Sequence, residues 1–407
     1  MKRRISFSTR TIFAHGLLWV GLVLIASLAE AQSGSTGVTS FKEIAQRAEA
    51  AREKGDIAAA IRLYHQALLQ KPGWQEGWWY YGSLLYDSNK YAQAISALRQ
   101  LTALNAKLGG AWALLGLSEY ETGDFHPALE HLQRAKDLGF GETQSLADVA
   151  DYHLAILFNV HGECDRARSL FSSLLLRGVN SEDVQIGLGM SLLRVPLLPP
   201  QLDPSKDALI HDAGSTAALI AHKEYEKADQ AFQVLLTKYP GTHFAHYAYG
   251  AMLASRGQED AAKAQFREEI AITPDSALPY MEWTFLESKA GNYQEALPLA
   301  RKAVQLSPNS FLAHYLLGNA LLATGNIHAS VGDLETARHL APESPEVRYS
   351  LARAYAKAGN PQLARREHAE FTKLQADRQR KLRESGEIMK LSEQGDTSAS
   401  PAAPHSQ

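Results

Sequence analysis

Four prolines, Pro240, Pro274, Pro308 and Pro342, recur 34 residues apart, and four glycines, Gly257, Gly291, Gly325 and Gly359, keep the same interval. Proline stops helices because it lacks an amide hydrogen and disfavours a helical residue before it. Glycine takes a left-handed turn at little cost. A long fixed period carried by helix breakers describes one supersecondary unit stacked many times. Stacked units make an extended surface rather than a closed pocket, so the chain is read first as a binding scaffold.

The unit is visible in residues 311–344. Leu317, Leu321 and Leu334, with Gly318 and Ala337, recur at helical spacing in two runs separated by Gly325-Asn326 and closed by Pro342. Each unit is therefore helix, short turn, helix, breaker. Gly318 is expected to let its helix approach a partner closely, as are Gly82, Gly116 and Gly250 at equivalent positions. The unit from Gln75 carries Trp78, Tyr81, Gly82, Leu85, Ala94 and Leu98; the unit from Gly109 carries Trp112, Leu115, Gly116, Gly123, Ala128, Leu132 and Ala135. The unit from His243 carries Tyr249, Gly250, Leu253, Gly257, Ala262, Phe266 and Pro274, and a first unit ending at Pro72 has Ala60, Tyr64 and Ala67. This pattern resembles the tetratricopeptide repeat, from about Phe41 to about Leu374. Two departures are Ser330 in place of the usual alanine and His314 at the tryptophan position. The resemblance implies an all-α, right-handed superhelical solenoid of antiparallel helix pairs, with about nine repeats.

The phase slips twice. Gly55, Asn89 and Gly123 are evenly spaced, but Gly162 comes five residues late, which predicts a longer connection near Gly139–Gln144. Residues 194–206 hold Pro196, Pro199, Pro200 and Pro204, which no helix survives. They are read as an extended, semi-rigid connection between a first repeat block, 41–193, and a second, 207–378. A degenerate repeat with a swollen inner turn is the alternative. Pro361–Lys390 reads as a charged helix pair or single extension, with 379–392 as a C-terminal cap. Residues 393–407, prolines aside, lack apolar side chains larger than alanine and are expected to be a disordered tail.

Residues 1–31 have the grammar of an export signal: Lys2, Arg3 and Arg4, an apolar core from Leu17 to Leu28, and the small-x-small site Ala29-Glu30-Ala31. A Sec-type signal cleaved after Ala31 is expected, followed by a short linker, 32–40, and a periplasmic or extracellular location. An uncleaved membrane anchor is the second reading, since Thr11–Ala29 is nearly long enough to span a bilayer. Cleavage takes 41 basic and 44 acidic residues to 37 and 43, a net charge of about −6. The single cysteine, Cys164, rules out an intrachain disulfide and is expected to be inert. Acidic residues interleave with the arginines near the C-terminus, so no nucleic-acid partner is expected.

No constellation for catalysis emerges. The chain lacks His-Glu-x-x-His, a Gly-Lys-Ser/Thr phosphate loop and a Gly-x-Ser-x-Gly elbow. His243 and His246 are one helical turn apart but have no third ligand. Glu268 and Glu269 are adjacent on a helix and point different ways. No enzyme, metal or cofactor is expected.

The tetratricopeptide resemblance further implies that the first helix of each unit lines a concave groove, mainly through positions 2, 5, 9, 12 and 13. Position 5 supplies Trp79, Tyr152, Tyr247, Tyr315 and Tyr349; position 12 adds Tyr86 and Tyr120; position 9 gives Asn319 and Arg353. This aromatic ladder is the expected partner-binding surface, because tyrosine offers a flat face at little rotamer cost and a hydroxyl. Packing between repeats is the competing role for each ring. The lysine-plus-asparagine clamp for a C-terminal carboxylate and the asparagine run of glycosyltransferase relatives are both missing. The expected function is a non-catalytic cell-envelope scaffold binding a partner polypeptide. The alternatives are a glycan or cell-wall polymer module and an accessory subunit of an envelope enzyme.

Overall fold

The computed structural model describes residues 40–140 and 144–396. Among them are nineteen α-helices and no strand. The expected signal segment 1–31, with residues 32–39, lies outside the described residues, as does the tail from 397 on.

The helices fall into two compact units dividing at Pro240 and Gly241. The first holds α1 (Phe41–Glu53), α2 (Ile57–Gln70), α3 (Gln75–Asp87), α4 (Tyr91–Leu104), α5 (Gly109–Thr122), α6 (Phe125–Leu138), α7 (Gln144–Val160), α8 (Cys164–Leu176), α9 (Glu182–Leu192), α10 (Asp207–Ala221) and α11 (Tyr225–Lys238). The second holds α12 (Ala245–Ser255), α13 (Glu259–Ile272), α14 (Leu278–Lys289), α15 (Tyr293–Leu306), α16 (Phe311–Ala323), α17 (Ile327–Leu340), α18 (Pro345–Lys357) and α19 (Pro361–Asp396). In each unit, chain neighbours pack as antiparallel hairpins. The first helices also touch one another in turn: α3, α5, α7 and α9, and separately α12, α14, α16 and α18.

Each hairpin turn needs one residue in the left-handed region. Glycine supplies it at Gly55, Gly123, Gly257, Gly291, Gly325 and Gly359. Asn89 and Lys223 hold the same place at φ 57° and 60°, so the 34-residue period extends back through Lys223 without glycine. The second helices bury a matching register. Ala60, Ala94, Ala128, Ala228, Ala262 and Ala296 are all fully buried. Ser330 replaces the alanine without cost because its hydroxyl donates to the Gly318 carbonyl at 2.7 Å. At the facing position, a Cβ on Gly116 would lie 2.8 Å from Leu132 and 3.1 Å from the Ala128 carbonyl oxygen, confirming the close approach.

The tryptophan position also has a physical definition. The indoles of Trp78 and Trp112 donate to the carbonyls of Pro72 and Ala106, six residues back, at 2.7 and 3.0 Å. His314 meets the carbonyl of Pro308 at 3.0 Å, and Arg348 that of Pro342 at 3.0 Å. In these four units the position carries an N–H donor that reaches back to a carbonyl six residues earlier, an imidazole or guanidinium serving as an indole does, whereas His246 at the same register bonds Gln265 instead.

Two sequence expectations need correction. The proline-rich segment is not a plain extended connection between blocks. It lies within the first unit and folds into two 3₁₀ turns, Pro199–Gln201 and Pro204–Lys206, each opening on proline. Asn159 donates to its Val195 carbonyl, and Arg194 pairs with Asp165 at 3.1 Å. The helices it joins interlock at backbone distance. A Cβ on Gly189 would stand 2.0 Å from the Ile210 carbonyl oxygen, and one on Gly214 would stand 2.1 Å from that of Gln185. The second correction concerns the C-terminus. Pro361 onward is the single extension, one of the two expected forms, but it continues through residues 393–396, where the tail was expected to begin.

Candidate partner-binding surface

The nine residues expected to line a groove divide by burial. Tyr152 and Tyr247 are core residues, not surface ones. Tyr152 is fully buried against Phe171, with ring centroids 5.9 Å apart. Tyr247 is buried beside Phe266. Each of these two rings faces the second helix of its own hairpin, where Phe171 on α8 and Phe266 on α13 stand. Tyr315 is half-buried between the core clusters of its own and flanking hairpins, and Asn319 donates to its carbonyl at 2.9 Å. Trp79 is half-buried, its ring lying on α5 at Gly110.

Tyr349 is open, at 44% exposure, with Phe371 at 5.3 Å and Arg353 at 5.8 Å from its ring. Arg353 is exposed. This pair is the part of the predicted ladder in the second unit that stands free for contact.

In the first unit, Tyr86 and Tyr120 occupy one register position on α3 and α5. Tyr86 is 2% exposed and meets the edge of Tyr91 at 5.6 Å. Tyr120 is half-buried and meets Phe125 at 5.5 Å and His153 at 4.6 Å. Burial pushes both phenols well above the usual tyrosine range. His153 is buried, bonded through Nδ1 to the Val149 carbonyl, and desolvation lowers it to about 4.

Sequence reasoning missed the residues after these tyrosines. Asp87 ends α3 and Glu121 stands one residue before the end of α5; both are exposed, and they lie 34 residues apart like the rings before them. Crowding by protein raises the Asp87 carboxyl to about 6 and raises that of Glu121. A Tyr-acid dipeptide repeated one period on was the available signal.

Other acids are consumed by the fold. Glu269 is fully buried and accepts from the amides of Phe244 and Tyr247, at 2.7 and 3.0 Å, and from the Thr273 hydroxyl at 2.9 Å. It thereby caps α12, whose preceding residue Phe244 is held at φ 63°. Glu268 points outward, as expected. His246 bonds Gln265 at 2.7 Å, and the described residues contain no cluster of three or more groups able to hold a metal. Cys164 is buried, and burial raises its thiol. No helix among the described residues is long and apolar enough to cross a membrane.

Stacked helical hairpins define a repeat scaffold. Family models described as tetratricopeptide repeat match residues 51–118, 216–242, 288–331 and 315–370. The chain belongs to the tetratricopeptide-repeat family, a class of protein-interaction scaffold that is in general non-catalytic. It is similar to anaphase-promoting complex subunit 3 of Schizosaccharomyces pombe, 20% identical over 290 residues, covering 70% of this chain and 43% of that protein. It is also similar to tetratricopeptide repeat protein 7B of Homo sapiens, 28% identical over 113 residues, covering 28% of this chain and 13% of that one. The chain thus spans less than half the length of these curated relatives. Among solved structures, MamA 41-end from Desulfovibrio magneticus RS-1 matches at 18% identity and a TM-score of 0.39, covering 42% of this chain and 97% of that chain. YrrB matches at 18% and 0.38, covering 45% and 94%.

Proposed function

We propose that this scaffold works in the cell envelope, holding a segment of a partner polypeptide along its first-helix rows with no bond chemistry. One observation carries the reading. Trp79 and Tyr120, on successive touching first helices, remain half open while the second-helix register is sealed. Half-open rings on a rigid row offer a partner apolar area and stacking edges at little ordering cost. The basic start, apolar core and Ala29-Glu30-Ala31 of the N-terminal segment support export.

Photocrosslinking in the native host tests the surface. A benzophenone amino acid at Tyr120 should give a discrete adduct with a polypeptide, and one at Leu69, exposed on a second helix, should not. Equal labelling from both positions would refute a defined surface. Mass spectrometry of the mature N-terminus in fractionated cells tests location: a protein beginning at Met1 in the cytoplasm would rule out the envelope.

A further inference from the structure

The second unit holds a surface pocket whose positive charge its own contacts do not balance. Arg338 and His339 at the end of α17, Pro342 in the turn after it, Arg348 on α18 and Arg366 on α19 line an open cavity of about 390 Å³. Glu367, 1% exposed, receives Arg338 at 3.0 Å and Arg348 at 2.7 Å, and Arg348 also donates through Nε and Nη2 to the Pro342 carbonyl. One carboxylate thus fixes two guanidiniums in place. Arg366 is exposed and has no hydrogen bond or ion pair with any described residue, and neither has His339. A helix C-terminus favours cations, which accounts for Arg338 and His339 in the last turn of α17. It does not account for Arg366, which stands near the start of α19. Three guanidiniums against the one carboxylate they meet leave two positive charges over. Glu343 and Glu370, the acids next in sequence, neither line the cavity nor pair with a lining side chain.

We propose that this pocket binds a phosphate group, held by Arg366 together with the two guanidiniums that Glu367 positions. A single carboxylate would answer half of the excess charge. A phosphate carries close to two negative charges at neutral pH and offers three strong acceptor oxygens. Arginine forks match such oxygens bidentately and stay charged throughout the physiological range. The cavity falls in the size range of small-ligand clefts, but its lining is basic rather than apolar, so it selects by charge. The chemistry is the same whether the phosphate is free or a small organic monoester. The proposal stands apart from the scaffold reading, because Tyr349 and Arg353, the open pair of α18, do not line this pocket.

Calorimetric titration of the full chain at neutral pH tests this, with inorganic phosphate, glycerol 3-phosphate and succinate at matched ionic strength. At least one of the two phosphates should bind saturably at a single site. Tighter binding of glycerol 3-phosphate would assign the pocket to an organic monoester, and equal or tighter binding of inorganic phosphate would assign it to the free ion; either supports the proposal. Arg366→Ala, which breaks no bond within the fold, should weaken the phosphate about tenfold or more. Arg365→Ala removes the same charge from the next residue, also exposed but outside the pocket, and should leave binding unchanged. No saturable binding of either phosphate up to about 10 mM would overturn the proposal. Equal losses in the two variants would also overturn it, by showing a diffuse basic surface. Succinate binding as tightly as the phosphates would reassign the pocket to carboxylates.

Discussion

Both units pair their buried acidic side chains within the fold, and two exposed acids of the first unit, Asp87 and Glu121, depart from that pattern. In the second unit the buried acids are answered within the fold. Glu269 caps α12; Glu287 accepts from Trp283, Asn292 and Lys263; Glu367 receives Arg338 at 3.0 Å and Arg348 at 2.7 Å. In the first unit some acids behave likewise, such as Glu119 with Arg99 and His131. Asp87 and Glu121 do not: they are crowded, exposed at one edge and unpaired. An acid whose bonds are complete is architecture. A crowded acid with no partner weakens the fold slightly while it is charged.

The largest effect separating these classes belongs to Glu269→Ala. It leaves two amides at the start of α12 without an acceptor and removes what holds Phe244 in its left-handed conformation. A loss of ~3 kcal/mol is expected in urea unfolding of the full chain. A change below ~1 kcal/mol would mean that the cap is incidental.

Acid titration tests the first unit next. His153 is lowered in the folded state to about 4 from an ordinary 6.5, so the unfolded chain binds its proton first. The stability this confers is complete above about 6.5 and is lost as pH falls toward 4, by ~3 kcal/mol at most. Asp87 works in the opposite direction: its carboxyl is raised to about 6 from 3.8, so the folded state takes that proton first. Its contribution favours the fold at low pH and fades as pH rises through 6. His153→Leu should therefore flatten or reverse the slope between pH 6.5 and 4, and Asp87→Asn should steepen it. A slope that neither substitution changes would remove both groups from the account.

Glu367→Gln probes the second unit with a smaller loss, ~2 kcal/mol, because Arg338 and Arg348 keep an acceptor but lose its charge. Added salt should not mimic it, since the pairs are largely hidden from solvent. A loss that salt reproduces in the unsubstituted chain would make these surface pairs.

The fold was legible because its information is local and repeated. Pro274, Gly325 and the buried alanines each state a backbone requirement wherever they occur. His314 looked like a departure only because the tryptophan position was defined by ring type; its imidazole reaches the carbonyl six residues back as the indoles of Trp78 and Trp112 do. The interlocked Gly189 and Gly214 were invisible, because 14 residues of chain, including four prolines, separate two helices that touch at the backbone. The binding surface was legible only in part. Position 5 selects aromatics correctly, but whether the ring faces outward depends on the second-helix residue opposite. Phe171 and Phe266 draw Tyr152 and Tyr247 inward, whereas Tyr349 stays open beside Arg353.

The smallest effect on stability is the most informative about function. Asp87→Asn keeps the shape of the side chain and removes a charge that the fold neither pairs nor bonds. For a structural acid such as Glu269, substitution can only lose. For Asp87 the physical argument gives the opposite sign: the folded state no longer holds a crowded carboxylate. Its midpoint in urea at pH 7 should stay unchanged or rise, by less than ~1 kcal/mol given its open edge. Glu121→Gln should do the same for the same reason. Higher stability in both variants would show that neither carboxylate is kept for folding. Lower stability in both variants would show that a partner for these carboxylates exists within the fold, and would place them with the paired acids.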